Sequence, residues 1–124
     1  MNQDIVANAL NQMMNAKRAR KNYIIMKHSS KLLLSVLALA KLKGYVLDYK
    51  QEAEGLKITI RKLHGCQAIK PRFMIKCDDI EKYVQRYLPA KEIGTLIIST
   101  SKGIMTHQTA QDKKIGGSLI AYMY

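Results

Sequence analysis

The stretch from Ser99 to His107 contains the residue types best suited to contacting a polar ligand. Hydroxyl groups, a lysine and a glycine follow one another at the end of an apolar run. Gly103 allows a close backbone approach because it has no Cβ, and the hydroxyls can donate to phosphate, ribose or base edges. Lys102 adds a positive charge. An ordinary strand-to-helix turn with capping hydroxyls has the same local composition, so spacing alone leaves both interpretations open.

Catalytic and metal-binding interpretations of the sequence have little support. No glycine-rich run precedes Lys102, so the stretch is not a phosphate-binding P-loop. Ser99 or Ser101 could be drawn with His107 and a distant Asp as a hydrolase triad, but no Gly-x-Ser-x-Gly elbow surrounds either serine. Four residues lack the paired spacing of a tetrahedral zinc site: His28, His64, Cys66 and Cys77. We therefore predict a non-enzyme with no metal, cofactor or small-molecule substrate.

The charge of the chain indicates a polyanionic partner. The 124 residues contain 21 Lys and Arg against nine Asp and Glu, a formal net charge of +12. The net charge is +7 over residues 1–50, +4 over 51–76 and only +1 over 77–124. A small soluble domain needs a net charge of only about 2–8, so solubility alone does not account for this excess. Nucleic acid is the expected partner, contacted mainly through the first two thirds of the chain.

The first half of the chain predicts an α-β-α-β-β order. Apolar residues at helical spacing indicate an amphipathic helix over about residues 3–16. Its end is unusually basic, and the four cations exceed what a helix C-terminus requires: Lys17, Arg18, Arg20 and Lys21. A strand is predicted at 23–26. A helix capped by Ser29 or Ser30 follows and ends at Gly44. Two strands at 45–49 and 56–61 are then joined by a loop over 51–55.

The second half predicts a mixed β/α order after a boundary near residues 63–65 and Pro71. We expect a strand at 73–76, then a helix opened by a capping pair of Asp78 and Glu81 and ended by Pro89. A strand at 95–100, a turn at 101–103, a short helix opened by Thr106 and a last strand at 119–124 follow. The predicted fold class is therefore α+β (mixed α/β), with two small subdomains at residues 1–64 and 65–124.

Other sequence features indicate the cellular location of the protein and how it contacts RNA. The chain shows no signal-type leader, its two cysteines do not form a disulfide framework, and its longest apolar run is too short for a membrane span. We expect it to remain inside the cell without a membrane partner. One Phe, no Trp and Tyr residues at positions that favour burial do not match the aromatic motif of a single-strand stacking platform. Groove and backbone contacts to folded RNA fit better.

Several motifs together resemble the S-eight family of small-subunit ribosomal proteins, in its archaeal and eukaryotic cytosolic form. The residues from Ser99 to His107 look like the family signature. The opening helix with its Asn15-Ala16 ending, the Ser30-Lys31 helix start and the Gly44-Tyr45 step are also similar to the family. Further resemblances lie at residues 69–73, 86–90, 115–117 and 122–124, so the likeness covers nearly the whole chain.

The resemblance implies a two-subdomain protein that binds small-subunit rRNA directly and stabilises a helical junction of the central domain. It would lie in the cytoplasm, in the small ribosomal subunit, beside other small-subunit proteins. The loop 99–103 with Met105 and Thr106 becomes the expected contact to a distorted RNA helix, within an rRNA-binding C-terminal subdomain. The turn at 15–20 and the Ser30-Lys31 start would be a second, phosphate-directed contact. The candidate rRNA-binding residues are Asn15, Lys17, Arg18, Arg20, Ser30, Lys31, Lys70, Arg72, Ser99, Thr100, Ser101, Lys102, Gly103, Met105 and Thr106.

Two competing hypotheses come from other classes. A stand-alone adaptor that binds structured RNA or double-stranded nucleic acid outside the ribosome would have the same charge, and its stable presence in salt-washed small subunits would contradict this hypothesis. A small phosphoester or nucleotide enzyme rests only on the proximity of Ser, Lys and His in the loop 99–107.

Overall fold

The structure is a computed structural model that describes residues 5–69, 72–90 and 93–124. The chain divides into two compact units, Met1–Cys66 and Gln67–Tyr124. Four helices and eight strands occur in the described residues, which confirms the α+β class. None of the described helices is long and apolar enough to cross a bilayer.

The N-terminal unit has the predicted order of two helices and three strands. Its elements are α1 (Ile5–Arg18), β1 (Tyr23–Met26), α2 (Lys31–Leu42), β2 (Val46–Glu52) and β3 (Gly55–Ile60). The three strands form an antiparallel sheet in the order β1-β3-β2, so β1 lies at one edge and β2 at the other. The apolar positions at helical spacing are buried as predicted: Val6, Ala9, Leu10 and Met13 in α1, and Leu33, Val36, Leu37 and Ala40 in α2.

The end of α1 and the β2–β3 connection differ in detail from the sequence prediction. Helix α1 continues to Arg18, two residues beyond the predicted end. The predicted loop over 51–55 is wrong in length, because β2 and β3 extend into it and leave a two-residue turn at 53–54. Gly55 makes this possible: its φ is +141°, and a Cβ there would collide with the Met26 carbonyl oxygen. The turn is therefore held against the end of β1.

The C-terminal unit is built on a second sheet. Its elements are β4 (Cys66–Ala68), β5 (Met74–Ile75), α3 (Ile80–Tyr87), β6 (Thr95–Thr100), β7 (Gly103–Thr106), α4 (His107–Lys113) and β8 (Gly117–Met123). The strand order is β4-β8-β6-β7, with β5 also pairing β8. The core of this unit contains Ile75, Ile80, Val84, Leu96, Ile98, Met105, Ala110 and Leu119.

Two features of the second half differ from the sequence prediction. The sequence predicts no strand at the positions of β4 and β7, yet both pair with longer strands of the sheet. The capping pair of Asp78 and Glu81 does not form: a 3-10 turn at Cys77–Asp79 precedes α3, and the N-cap residue Asp79 makes no side-chain cap bond. The break predicted at Pro71 lies outside the described residues.

Candidate nucleic-acid interface

The residues predicted to contact RNA in the C-terminal unit form the tip of the β6–β7 hairpin. Thr100 pairs with Gly103, so Ser101 and Lys102 alone make the turn, and both are exposed. The Thr100 hydroxyl donates to the Gly103 carbonyl at 2.8 Å and accepts from the Lys102 amide at 3.1 Å. Gly103 has a φ of +114° and nothing within 4 Å of where a Cβ would lie. The tip is thus tied together internally and projects its remaining polar groups into solvent.

Ser99 lies in a row of half-exposed residues across one face of the sheet. Its cross-strand partners are Ile104 on β7 and Ser118 on β8, and Ser118 is also opposite Met74 on β5. Directly opposed residues of antiparallel strands share a face, so these four side chains lie side by side. Met74 is 74% exposed. Gly117 keeps the strands close, because a Cβ there would collide with the Ser99 carbonyl oxygen.

Met105 and Thr106 are placed differently from the other predicted contacts. Both are buried, with 6% and 5% of their surface exposed. The Thr106 hydroxyl accepts from the Thr109 amide at 3.3 Å, which caps α4 as the sequence predicted. Met105 is part of the apolar core beneath the sheet. Their side chains therefore hold the hairpin in place from within.

The environment of His107 does not suit a hydrolase triad. The imidazole is buried, and its Nδ1 accepts a hydrogen bond of 3.1 Å from the Leu96 amide. This bond holds the neutral ring as the Nε2–H tautomer, so Nε2 has no free lone pair to take the proton of a serine. Among the described residues, no group of three His, Cys, Asp or Glu comes together in a way that could hold a metal ion.

The basic cluster of the N-terminal unit lies at the C-terminal end of α1. The Lys21 amide donates to the Ala16 carbonyl and the Arg20 amide to the Lys17 carbonyl, which is the hydrogen-bond pattern of a Schellman cap. Arg20 is the residue that reverses the chain, with a left-handed φ of +61°. Glycine is the usual residue at this position, so an arginine there occupies a strained conformation.

Two predicted contacts in this cluster already have partners within the chain. The Lys17 ammonium group donates to the carbonyl of His64 at 3.1 Å, and the Arg18 guanidinium donates to the Asn15 side chain at 3.4 Å. Within the described residues, the side chains of Arg20 and Lys21 have no such bond. Both are exposed, so they are the cations most available to a phosphate.

Ser30 and Lys31 begin helix α2 as predicted. The Ser30 hydroxyl oxygen accepts from the Leu33 amide at 3.1 Å, and its own proton remains to be donated. Lys31 is exposed in the first turn. A phosphate at this end would meet free backbone N–H groups, the positive end of the helix dipole and a lysine.

Two predicted contacts remain, Lys70 and Arg72, and the structure describes only Arg72. Arg72 is exposed just before β5. Lys70 lies outside the described residues. Sequence reasoning missed Ser118 and Met74 as neighbours of Ser99, because only the strand register brings them together.

The two cysteines are free, and Cys66 is chemically protected. Its thiol is buried and donates to the Leu10 carbonyl at 3.5 Å. Burial raises the pKa of Cys66 to about 12, against a smaller opposing effect of the Lys17 charge. A thiol in this state is a poor nucleophile and a poor metal ligand.

Comparison with known proteins now identifies the family. A family model described as Ribosomal protein S8 matches residues 4–124. The chain belongs to this family. A relative, small ribosomal subunit protein uS8 of Caldivirga maquilingensis, is 37% identical over 126 residues, which cover 98% of this chain and 97% of the relative. The resemblance to the S-eight family seen in the sequence is thereby confirmed, and the archaeal relative agrees with the form that the motifs indicated.

Proposed function

We propose that this protein is a structural constituent of the small ribosomal subunit that binds rRNA directly and has no catalytic role. Membership of the ribosomal protein S8 family carries the proposal. In this role it stabilises a helical junction of the central domain in the cytoplasmic ribosome, next to other small-subunit proteins. Family membership favours this function over a stand-alone RNA adaptor.

The β6–β7 hairpin is the proposed contact to a distorted RNA helix. The hydroxyl of Ser101, the ammonium group of Lys102 and the open backbone at Gly103 are accessible on the projecting tip, and the half-exposed Ser99 lies beside it on the face of the sheet. Hydroxyl and backbone groups suit the wide minor groove of RNA, where 2′-hydroxyls and base edges are displayed. Met105 and Thr106 support the tip from the interior, so we assign them a positioning role rather than direct contact.

The N-terminal unit supplies the proposed phosphate contacts. Arg20 with Lys21 at the end of α1, and Ser30 with Lys31 at the start of α2, present two groups of donors to a phosphate backbone. Such contacts determine affinity and its dependence on salt, whereas groove contacts determine fit. The two kinds of contact can therefore be told apart experimentally.

The experiment measures binding of the full chain to a small-subunit rRNA fragment that contains the central-domain junction. The double variant Ser99→Ala, Ser101→Ala should bind about five- to 150-fold more weakly, because two hydrogen bonds worth about 0.5–1.5 kcal/mol each are lost. Its salt dependence should not change, since no charge is removed. Ser35→Ala, on the exposed side of α2, is the control and should bind normally. Unchanged affinity and unchanged junction protection in the double variant would exclude this role for the hairpin.

The adaptor alternative is tested by fractionation. Stable presence of the chain in small subunits washed with high salt supports the ribosomal role. Complete loss from the washed subunits, with the chain still folded, would favour the adaptor.

A further inference from the structure

Helix α2 is apolar on its solvent side as well as on its core side. All of its 12 residues are apolar except Lys31, Ser35 and Lys41. Leu34 is 38% exposed and Leu42 is 82% exposed. A helix that is hydrophobic on all sides is normally covered on all sides. The proposed rRNA contacts, which use only the start of this helix, do not explain its exposed leucines.

Helix α1 of the same unit has the ordinary arrangement. Its exposed positions before the basic end are all side-chain amides: Asn8, Asn11, Gln12 and Asn15. Both helices bury one face in the N-terminal unit, but only α2 has leucine on the other. One exposed leucine is common on a protein surface, whereas several in a row form an apolar patch that marks an interaction site.

Three side chains form a straight ridge along the outer face of α2: Leu34, Ala38 and Leu42. Residues four apart in a helix lie one above the other, so this ridge spans two turns, or about 12 Å. Ridges of this kind interdigitate with the ridges of a second helix. Ala38 is small and half-buried, so it leaves a notch between the two leucines for one large apolar side chain. The shape of this face therefore suits a helix.

The charge of this region indicates an acidic partner. Residues 31–50 contain four lysines against one acid, Asp48, which is a net charge of +3. Lys31 begins α2 and Lys41 lies in its last turn, and the helix contains no acid. Asp48 is shared between Lys41 at 3.5 Å and Lys50 at 3.6 Å, so it neutralises only one of these two lysines. Carboxylates beside the apolar side chains of a partner would meet this excess of positive charge.

We propose that the outer face of α2 binds an acidic amphipathic helix of a neighbouring small-subunit protein. Apolar side chains of that helix bury Leu34 and Leu42, and its carboxylates lie against the lysines. RNA is disfavoured as the occupant, because a phosphate backbone has no apolar surface with which to cover leucine. A second copy of the chain would bring the same positive charge to the contact, which disfavours a dimer. The inference rests on the proposed function only in taking the partner from the small subunit.

The test places a photoreactive residue on this face, as Leu42→p-benzoylphenylalanine, in the full chain assembled into small subunits. After irradiation, mass spectrometry of the adduct should identify one protein segment with apolar residues at helical spacing and acidic residues beside them. Asn8→p-benzoylphenylalanine, at an exposed position of α1, is the positional control and should not capture that segment. An adduct to rRNA, an adduct to a second copy, or no adduct from position 42 would overturn the proposal.

A second substitution on the same face separates apolar packing from mere proximity. Leu34→Gln in the photoreactive chain should lower the adduct yield at least five-fold, because an apolar contact is lost while glutamine remains a good helix former. Ile93→Gln is the matched control, since Ile93 is 55% exposed in the C-terminal unit, and it should leave the yield unchanged. Equal yields from the two variants would contradict packing on the outer face of α2.

Charge is tested separately. Lys41→Gln with Lys43→Gln should lower the adduct yield several-fold, because the partner's carboxylates lose their counterions. Lys82→Gln with Lys113→Gln changes the total charge equally, at exposed positions of the C-terminal helices, and should leave the yield unchanged. If both pairs lower the yield by the same factor, the partner is not selected by charge at α2 and the acidic assignment is wrong.

Hydroxyl-radical footprinting of the unmodified chain distinguishes a protein cover from an RNA cover. Leu34 and Leu42 should be oxidised at similar rates in the free chain and in its complex with the rRNA fragment, but at least five-fold more slowly in the small subunit. Protection by the rRNA fragment alone, or equal oxidation in the small subunit, would overturn the proposal. If the unmodified chain is absent from salt-washed subunits, the proposed function fails, and that result is distinct from a chain that is present with an accessible α2 face.

Discussion

Replacing Arg20 with glycine should make the protein more stable and a weaker binder of RNA at once. Arg20 reverses the chain after α1 with a φ of +61°. A left-handed conformation costs a non-glycine residue about 1–2 kcal/mol, and glycine removes this cost but adds about 0.4–1 kcal/mol of chain entropy on folding. The difference between these two contributions spans about 0–1.6 kcal/mol, so we expect a net gain of about 0.8 kcal/mol in the free energy of unfolding. Urea denaturation followed by circular dichroism measures it.

The same change removes one cation from the proposed phosphate contact. One phosphate contact contributes about 0.9 to the slope of log K against log salt, so binding to the rRNA fragment should weaken about five- to ten-fold at 0.1 M salt and the slope should fall by about 0.9. Lys114→Gly is the matched control, because Lys114 ends α4 with a φ of +56° and carries the same charge. It should gain similar stability and keep its affinity and slope. Equal affinity losses in the two variants would refute a specific role for Arg20.

Three further changes test other parts of the structure. Thr106→Ala should lower the free energy of unfolding by about 1 kcal/mol through loss of the α4 cap, with rRNA affinity unchanged under conditions where the variant is fully folded; a large affinity loss would mean direct contact. Gly117→Ala should destabilise by about 1–3 kcal/mol in thermal denaturation, because its Cβ meets the Ser99 carbonyl, and a neutral result would contradict that packing. The pKa of Cys66 is raised to about 12 in the folded chain, whereas an exposed thiol in the unfolded chain loses its proton above about pH 9. Because the unfolded chain then binds fewer protons than the folded chain, Cys66 makes the free energy of unfolding fall between about pH 9 and 12. Cys66→Ala should flatten that fall in denaturation curves measured against pH, and identical curves would disprove it.

The parts of the fold that the sequence predicts well are those with enough local periodicity. The buried faces of α1 and α2 and the strands at 23–26 and 95–100 follow from apolar spacing alone. Strand β4 is only three residues long, and β7 begins at Gly103 and ends at Thr106, residues whose types favour a turn and a helix start, so neither strand shows a recognisable period of two. They form because they pair with longer strands, and the pattern within each segment does not show such pairing.

The candidate site likewise has a part that the sequence predicts and a part that depends on long-range contacts. Hydroxyls, lysine and glycine around residue 100 indicate a contact loop from composition alone. Which of those side chains face solvent depends on strand register, and this separates accessible Ser99 from buried Met105 and Thr106. The Lys17 bond to the His64 carbonyl spans 47 positions of the chain, so local spacing does not reveal it.

The hydrogen bonds of the Thr100 hydroxyl have a consequence for how the complex forms. They close the hairpin tip before any RNA is present, so the protein has little conformational freedom to lose on binding. In the proposed complex, the conformational change on binding is then expected in the nucleic acid, whose junction adapts to a preorganised protein surface. We therefore expect the rate of complex formation to follow the magnesium-dependent folding of the rRNA and to change little when the hairpin is made stiffer.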